Sequence, residues 1–216
     1  QLIRPGDVNW MVAGRGIVHS ERTPAESRAA VGGATIHGIQ TWMALPKEHE
    51  DAAPDFIHAE KTSLPELEGE GKQVRLVLGT AWGEKAPVKV FSETFYADAL
   101  LQPGAAIPLP DDHEDRGVYV LEGAVTVGGQ EFEAGRMLVF RPGDRISVRA
   151  GDQGARLMLL GGATMDGPRH IWWNFVASSK ERIEAAKEAW RAGDWAHGRF
   201  RLPPDDDREF IPAPER

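Results

Sequence analysis

Short apolar segments separated by turn residues make up most of this sequence. They are rich in Val, Leu and Phe and are bounded by Gly, Pro or Asp, which is the pattern of β-strands joined by tight turns. Gly128-Gly129 can take the positive φ angles that a tight hairpin needs. Strands at this regular spacing predict a β-sandwich or barrel. The predicted strands are residues 74–78, 88–91, 94–101, 118–121, 124–127, 137–140, 146–149 and 156–160.

One helix is predicted near the end of the sequence, over residues 179–192. Its apolar residues recur at helical spacing and are Ile183, Ala186, Ala189 and Trp190. Ser178 is the predicted N-cap, Glu181 follows three residues later, and Gly193 ends the helix. We expect the helix to cover a sheet face. The proline-rich residues after Leu202 are expected to form an extended arm.

The sequence contains an internal repeat. Arg4-Pro5-Gly6-Asp7 recurs 137 positions later as Arg141-Pro142-Gly143-Asp144, and Ala13-Gly14 recurs at the same offset as Ala150-Gly151. This pattern predicts a tandem duplication of one domain. Before the second copy lies a strand-rich region, from about residue 98 to 135, that has no counterpart before the first copy. We therefore expect the intact protein to carry about 70 to 80 further N-terminal residues, which complete the first domain.

Composition narrows the classes of function. The chain of 216 residues has 25 basic and 33 acidic residues, and this net charge of −8 disfavours direct binding of nucleic acid phosphates. It has no cysteine, so any metal must be held by imidazole and carboxylate groups. No apolar run approaches the roughly 18 residues of a membrane span, and the first residues do not resemble a signal peptide. We expect a cytoplasmic monomer that does not bind membranes.

One stretch resembles a known family. Residues 5–21 contain P-G-D, then W-M, then A-G-R-G-I, then H-S-E, and this order resembles the pirin family of the cupin superfamily. Residues 37–42, followed by Leu45-Pro46, are a second similar stretch. The resemblance covers the whole chain, although residues 169–175 depart from the family pattern. It implies an all-β fold with two tandem cupin (jelly-roll) barrels packed face to face, a C-terminal helix, and a first barrel whose N-terminal part is absent from this sequence.

The resemblance also implies a plan of domains. Residues 1–60 are expected to be the C-terminal half of the N-terminal, metal-binding barrel and the connection that follows it. Residues 61–216 are expected to form the C-terminal barrel with the helix and the tail. His113 lies near the place where this second barrel would carry metal ligands. Its turn-forming and acidic neighbours favour a solvated loop histidine over a vestigial metal site.

His19 and Glu21 are the predicted metal ligands. On a β-strand, residues two apart point to the same face, so a metal could bridge these two side chains. From the residues alone, a core histidine paired with its neighbouring carboxylate is the commoner alternative, whereas the family resemblance implies metal ligation. At the offset of 137 the corresponding residues are Arg156 and Met158, so the second barrel is expected to have lost its metal.

The remaining ligands and the metal itself are implied by the resemblance. Two further histidines of an H-x-H motif would come from the part of the barrel that precedes this sequence. The family implies one divalent transition metal, iron(II) first, with nickel, copper or manganese as alternatives because the ligand types do not decide between them.

The resemblance implies two functions of different classes. Some pirins have quercetin 2,3-dioxygenase activity, in which the metal binds the 3-hydroxyl and 4-carbonyl oxygens of a flavonol and a carboxylate such as Glu21 accepts the hydroxyl proton. Trp10, Met11 and Trp42 are predicted to line the pocket for this aromatic substrate, with core packing as their alternative role. The other function is that of a non-enzymatic, metal- or redox-sensing regulator that acts through protein partners.

Overall fold

The structure is a computed structural model that describes residues 1–24 and 37–215. Within this part, one α-helix, α1 (Lys180–Ala192), and two short 3₁₀ helices, Lys47–His49 and Lys61–Ser63, accompany thirteen strands. The strands are β1 (Val8–Val12), β2 (Asp55–Ala59), β3 (Glu66–Gly69), β4 (Lys72–Ala81), β5 (Glu84–Lys85), β6 (Thr94–Leu101), β7 (Ala106–Pro108), β8 (Asp115–Val127), β9 (Gln130–Glu133), β10 (Met137–Phe140), β11 (Ser147–Gly162), β12 (His170–Trp172) and β13 (Phe175–Ala177).

The chain divides into two compact units. Unit 1 comprises Gln1–Met11 and Phe56–Met165, and unit 2 comprises Val12–Asp55 and Asp166–Arg216. This division differs from the boundary predicted at residue 60. The helix and the tail belong with residues 12–55 because Ser178 binds Glu50, Arg182 binds Asp51 and Arg22 binds Asp206.

Unit 1 is built on a nine-stranded antiparallel sheet. The strand order is β10-β8-β11-β6-β4-β3, with β5 beside β4, β7 beside β11 and β9 beside β8, while β1 and β2 form a separate pair. One face of the sheet encloses an apolar core that includes Leu76, Phe95, Val118 and Leu157, all fully buried. Burial of each such side chain contributes about 1.5–3 kcal/mol, so this core is the main source of stability in unit 1.

The opposite face of the same strands carries ion pairs. The Arg75 guanidinium lies 3.1 Å from the Glu66 carboxylate on the neighbouring strand. Arg156 donates two hydrogen bonds to the Asp98 carboxylate, at 3.1 Å and 3.0 Å. The alternation of apolar and charged side chains therefore gives each central strand one core face and one outer face.

Most of the predicted strands are confirmed. Residues 94–101 and 137–140 coincide with β6 and β10, and the hairpin at Gly128-Gly129 joins β8 to β9 with φ angles of 58° and 83°. The paired segments predicted within 118–127 and within 146–160 are continuous strands, β8 and β11. The prediction for residues 88–91 is wrong. Val88 is buried from an irregular segment, so its apolar character reflects burial rather than strand pairing.

The two copies of the internal repeat fold in the same way at their turns. In the first copy the Asp7 amide donates to the Arg4 carbonyl at 2.9 Å, and in the second the Asp144 amide donates to the Arg141 carbonyl at 3.4 Å. Gly6 and Gly143 have φ angles of 90° and 83°. The copies diverge afterwards, because β1 ends at Val12 whereas β11 continues to Gly162.

In unit 2, helix α1 packs against aromatic side chains. Trp190 lies 5.3 Å from the Trp173 ring of the β12–β13 hairpin and 5.3 Å from the Phe200 ring. The predicted N-cap is wrong by one residue: Ser179 caps the helix by accepting a hydrogen bond from the Arg182 amide. Gly193 ends the helix in the left-handed conformation, as predicted.

Ser178, the predicted cap, instead binds Glu50. Its amide and its hydroxyl each donate to the Glu50 carboxylate at 2.6 Å. The tail after the helix contains no further helix among its described residues and is tied back where the Trp190 indole donates to the Ile211 carbonyl at 3.0 Å. In the described residues, no helix has the length and apolar character needed to cross a membrane.

Candidate metal centre

The first glycine of the A-G-R-G-I segment, Gly14, cannot carry a side chain without a shift of the backbone. Gly14 has a φ of 49°, and a Cβ atom placed on it would lie 2.0 Å from the Ala52 carbonyl oxygen. The same carbonyl accepts a hydrogen bond from the Arg15 amide at 3.0 Å. The turn therefore packs directly on the backbone at Ala52, which explains the glycine at this position.

The second glycine of the segment, Gly16, lies against Phe200, which follows helix α1 in the chain. Gly16 has a φ of 137°, and a Cβ atom on it would lie 2.9 Å from the Phe200 ring. The neighbouring Arg199 donates from Nε to the Arg15 carbonyl at 2.5 Å. Phe200 and Arg199 thus hold the backbone that leads into the predicted metal ligands.

His19 and Glu21 lie just after this turn. Residues 17–24 have no regular secondary structure, so the expected placement of the two ligands on a strand is not observed. A strand needs a hydrogen-bonded neighbour, and no backbone hydrogen bond joins residues 17–24 to another described residue. Both side chains are exposed and make no hydrogen bond or ion pair with any described residue.

The chemistry of these two side chains fits a first-row transition metal. One imidazole and one carboxylate are ligand types that such ions accept. His58, by comparison, is engaged within the protein, since its Nδ1 lies 2.7 Å from the Asn9 side-chain oxygen. Across residues 1–24 and 37–215 no group of three or more His, Cys, Asp or Glu side chains is placed to hold a metal ion. The assignment of His19 and Glu21 as two of the four ligands that the resemblance implies stays a prediction.

The residue after Glu21 is bound by the C-terminal tail. Arg22 donates two hydrogen bonds to the Asp206 carboxylate, at 3.0 Å and 2.9 Å, and one to Glu209 at 2.7 Å. The pKa of the Asp206 carboxyl is held below its ordinary value, mainly by Arg22 and next by the Ser20 hydroxyl. Sequence reasoning missed these contacts, because the partners are 184 positions apart and no motif connects them.

The predicted pocket residues are divided between the two units. Trp10 and Met11 are half-buried in unit 1, and the buried indole N–H of Trp10 has no hydrogen-bond partner among the described residues. Trp42 belongs to unit 2 and is 53% exposed. Their role at a substrate pocket stays a prediction.

The expectation of a solvated loop position for His113 is wrong. His113 is buried, and its ring lies 4.8 Å from the Phe95 ring. Nε2 lies 2.9 Å from the Thr80 carbonyl oxygen, which makes it the donor. Asp112 and Glu114 on either side are exposed, so the acidic neighbours face the solvent while the histidine turns inward.

The position predicted to correspond to His19 lies on the outer face of the sheet. Arg156 is paired there with Asp98, whereas Leu157 and Leu159 face the core. The pairing of β11 with β8 shifts register between Ala150 and Ala155, so a constant offset cannot identify equivalent faces beyond this point. The residues at this part of β11 that face the core, Leu157 and Leu159, are apolar.

The antiparallel sheet of unit 1 is of the kind expected for a cupin, and comparison with known proteins assigns the chain to this class. A family model described as "Pirin" matches residues 1–43, and one described as "Pirin C-terminal cupin domain" matches residues 96–196. A pirin-like protein from Caulobacter vibrioides is 45% identical over 215 residues, which cover 99% of this chain and 71% of that protein. This chain belongs to the pirin family.

A solved structure and a human protein are also similar to this chain. A crystal structure of quercetin 2,3-dioxygenase from Acinetobacter baumannii matches with a TM-score of 0.81 and 30% identity, over 99% of this chain and 68% of that chain. Human pirin is 29% identical over 191 residues, which cover 85% of this chain and 63% of the human protein. The chain thus spans about two thirds of the length of these relatives.

Proposed function

We propose that this protein is a metal-dependent dioxygenase of the quercetin 2,3-dioxygenase type, which cleaves the ring of a flavonol-like substrate with O₂. The observation that carries the proposal is the likeness of nearly the whole chain, at 30% identity and a TM-score of 0.81, to a structure named as quercetin 2,3-dioxygenase. The side chains of His19 and Glu21 support it, because they are exposed and have no partner among the described residues, and a metal site needs donor atoms that no protein group already occupies.

The proposed cofactor is one divalent transition metal, iron(II) first, with nickel, copper or manganese as alternatives. His19 would bind through an imidazole nitrogen and Glu21 through its carboxylate, together with the two further histidine ligands that the family resemblance implies. When bound, the metal supplies Lewis-acid chemistry toward the substrate oxygens and toward O₂.

The protein residues have separate tasks in this proposal. The Glu21 carboxylate accepts the proton of the flavonol 3-hydroxyl group, which requires an oxygen free of a protein partner. His19 contributes an imidazole nitrogen as a metal ligand. Trp42, which belongs to the same unit as His19 and Glu21, is proposed to contact the flat rings of the substrate.

The proposal is tested by loading the intact protein separately with iron, nickel, copper and manganese and adding quercetin. We expect loss of the long-wavelength quercetin absorbance together with release of carbon monoxide. Glu21→Gln should lose far more turnover than quercetin affinity, and His19→Ala should lose the metal. His197→Ala is the matched control, because this histidine of the same unit has a side chain that is 90% exposed.

A fully metal-loaded protein that is silent with all four metals would overturn the dioxygenase proposal. That result would favour the alternative function, in which the protein is a non-enzymatic regulator that binds protein partners instead of a small aromatic substrate.

A further inference from the structure

We propose that the C-terminal tail is a positioning element for the metal site, in which Asp206 and Glu209, together with Arg199 and Phe200, orient the segment that carries His19 and Glu21. These four tail residues are called the tail clamp. The inference rests on the proposed metal site. It adds a role for residues that are not themselves proposed as metal ligands.

The tail clamp holds the segment at both ends. Before the ligands, Arg199 binds the Arg15 carbonyl and the Phe200 ring packs against Gly16. After them, Asp206 and Glu209 bind the Arg22 guanidinium through three hydrogen bonds of 2.7–3.0 Å. The two predicted ligands lie between these anchor points.

The segment depends on such side-chain contacts because its backbone has none of its own. No backbone hydrogen bond joins residues 17–24 to another described residue. Ordering a free segment at the moment of binding costs conformational entropy, so a segment that is already ordered binds its ligand more tightly. The clamp supplies this order.

The contacts also leave the predicted ligands free. The Arg22 guanidinium donates to the Asp206 carboxylate, and the Ser20 hydroxyl helps to lower the pKa of the same carboxyl group. His19 and Glu21, which alternate with these residues, make no hydrogen bond or ion pair with the tail. The tail therefore contacts the residues that alternate with the predicted ligands and not the ligands themselves.

The tail itself is anchored to the rest of unit 2. Phe200 is buried and stacks on Phe175 at 5.5 Å, and the Trp190 indole binds the Ile211 carbonyl at 3.0 Å. The clamp residues lie beyond residue 196, where the match to the pirin C-terminal domain ends. The role proposed for them therefore does not follow from that match.

The test uses the intact protein and nickel(II) as the probe. The clamp variant combines Asp206→Asn with Glu209→Gln, and Asp207→Asn is the matched control because Asp207 is exposed and makes no ion pair with a described residue. We expect the clamp variant to weaken nickel(II) affinity about tenfold, as loss of outer supporting groups does at other metal sites. The control should keep the affinity of the natural protein.

Two further readouts separate positioning from a loss of folding. The metal-free clamp variant should unfold within about 3 °C of the natural protein, since exposed ion pairs contribute little stability. The copper(II) form should show a changed electron paramagnetic resonance spectrum, which a purely structural role at a distance would leave unchanged. The double variant Arg22→Asp with Asp206→Arg should recover a large part of the nickel(II) affinity that Arg22→Asp alone loses.

The outcomes distinguish this inference from the proposed function. If His19→Ala abolishes nickel binding while the clamp variant binds as tightly as Asp207→Asn, the clamp is overturned and the metal site stands. If His19→Ala binds nickel normally, the metal site is wrong and the clamp falls with it.

Discussion

Gly14 shows how a single residue decides the path of the backbone near the candidate site. Because a Cβ atom there would meet the Ala52 carbonyl at 2.0 Å and φ is positive, we expect Gly14→Ala to destabilise unit 2 by about 2–4 kcal/mol. Gly38→Ala is the control, since no atom of the described residues lies within 4 Å of its added methyl group. Thermal unfolding measured by circular dichroism compares the two variants, and equal unfolding temperatures would contradict this account of the turn.

His113 is a second residue whose environment decides its role. His113→Ala removes a buried ring that contacts Phe95 and leaves the Thr80 carbonyl without its donor, so we expect a loss of about 2–3 kcal/mol in the stability of unit 1. Metal content should be unchanged. The measurements are chemical unfolding and metal analysis, with His197→Ala as the exposed counterpart. If His113→Ala lost as much metal as His19→Ala, the assignment of the metal site to unit 2 would be wrong.

At the scale of elements, the contact between the tail and residue 22 should depend on pH. The pKa of the Asp206 carboxyl lies below its ordinary value of 3.8 in the folded protein, because Arg22 stabilises the charged form. The stability that this carboxylate contributes is therefore fully present above that ordinary pKa and is lost as the pH falls through the lowered value.

We expect the difference in unfolding temperature between the natural protein and Asp206→Asn to be constant near neutral pH and to decrease as the pH falls below the ordinary pKa of 3.8. Unfolding scans from pH 7 to pH 3 measure this difference. Asp207→Asn should show no such pH-dependent difference, and a difference for Asp206→Asn that does not decrease between pH 5 and pH 3 would mean that the ion pair is not its cause.

At the scale of the whole molecule, metal binding should stabilise unit 2 in particular. The predicted ligands His19 and Glu21 belong to this unit, as do five of the seven tryptophans. A ligand at 100 times its dissociation constant stabilises the form that binds it by about 2.7 kcal/mol. We expect saturating metal to raise the unfolding temperature seen by tryptophan fluorescence, and His19→Ala to remove this increase. An equal increase in the variant would show that the metal binds elsewhere.

The sequence by itself was sufficient for the features that depend on neighbouring residues. The strand at 94–101, the hairpin at Gly128-Gly129 and the helix end at Gly193 follow from local apolar patterns and from the conformations open to glycine. The motif in residues 5–21 was specific enough to indicate the pirin family, which the comparisons confirm.

Only the tertiary structure decided the features that depend on distant residues. The inward turn of His113, the irregular path of residues 88–91 and the binding of Arg22 by Asp206 all depend on partners whose positions no local pattern specifies. The change of face along β11 has the same origin, because a register shift in strand pairing moves a residue from core to surface without changing the sequence around it. Local propensity determined which segments became strands and helix, whereas packing between segments far apart in the chain determined which side chains were buried, paired or left free for a ligand.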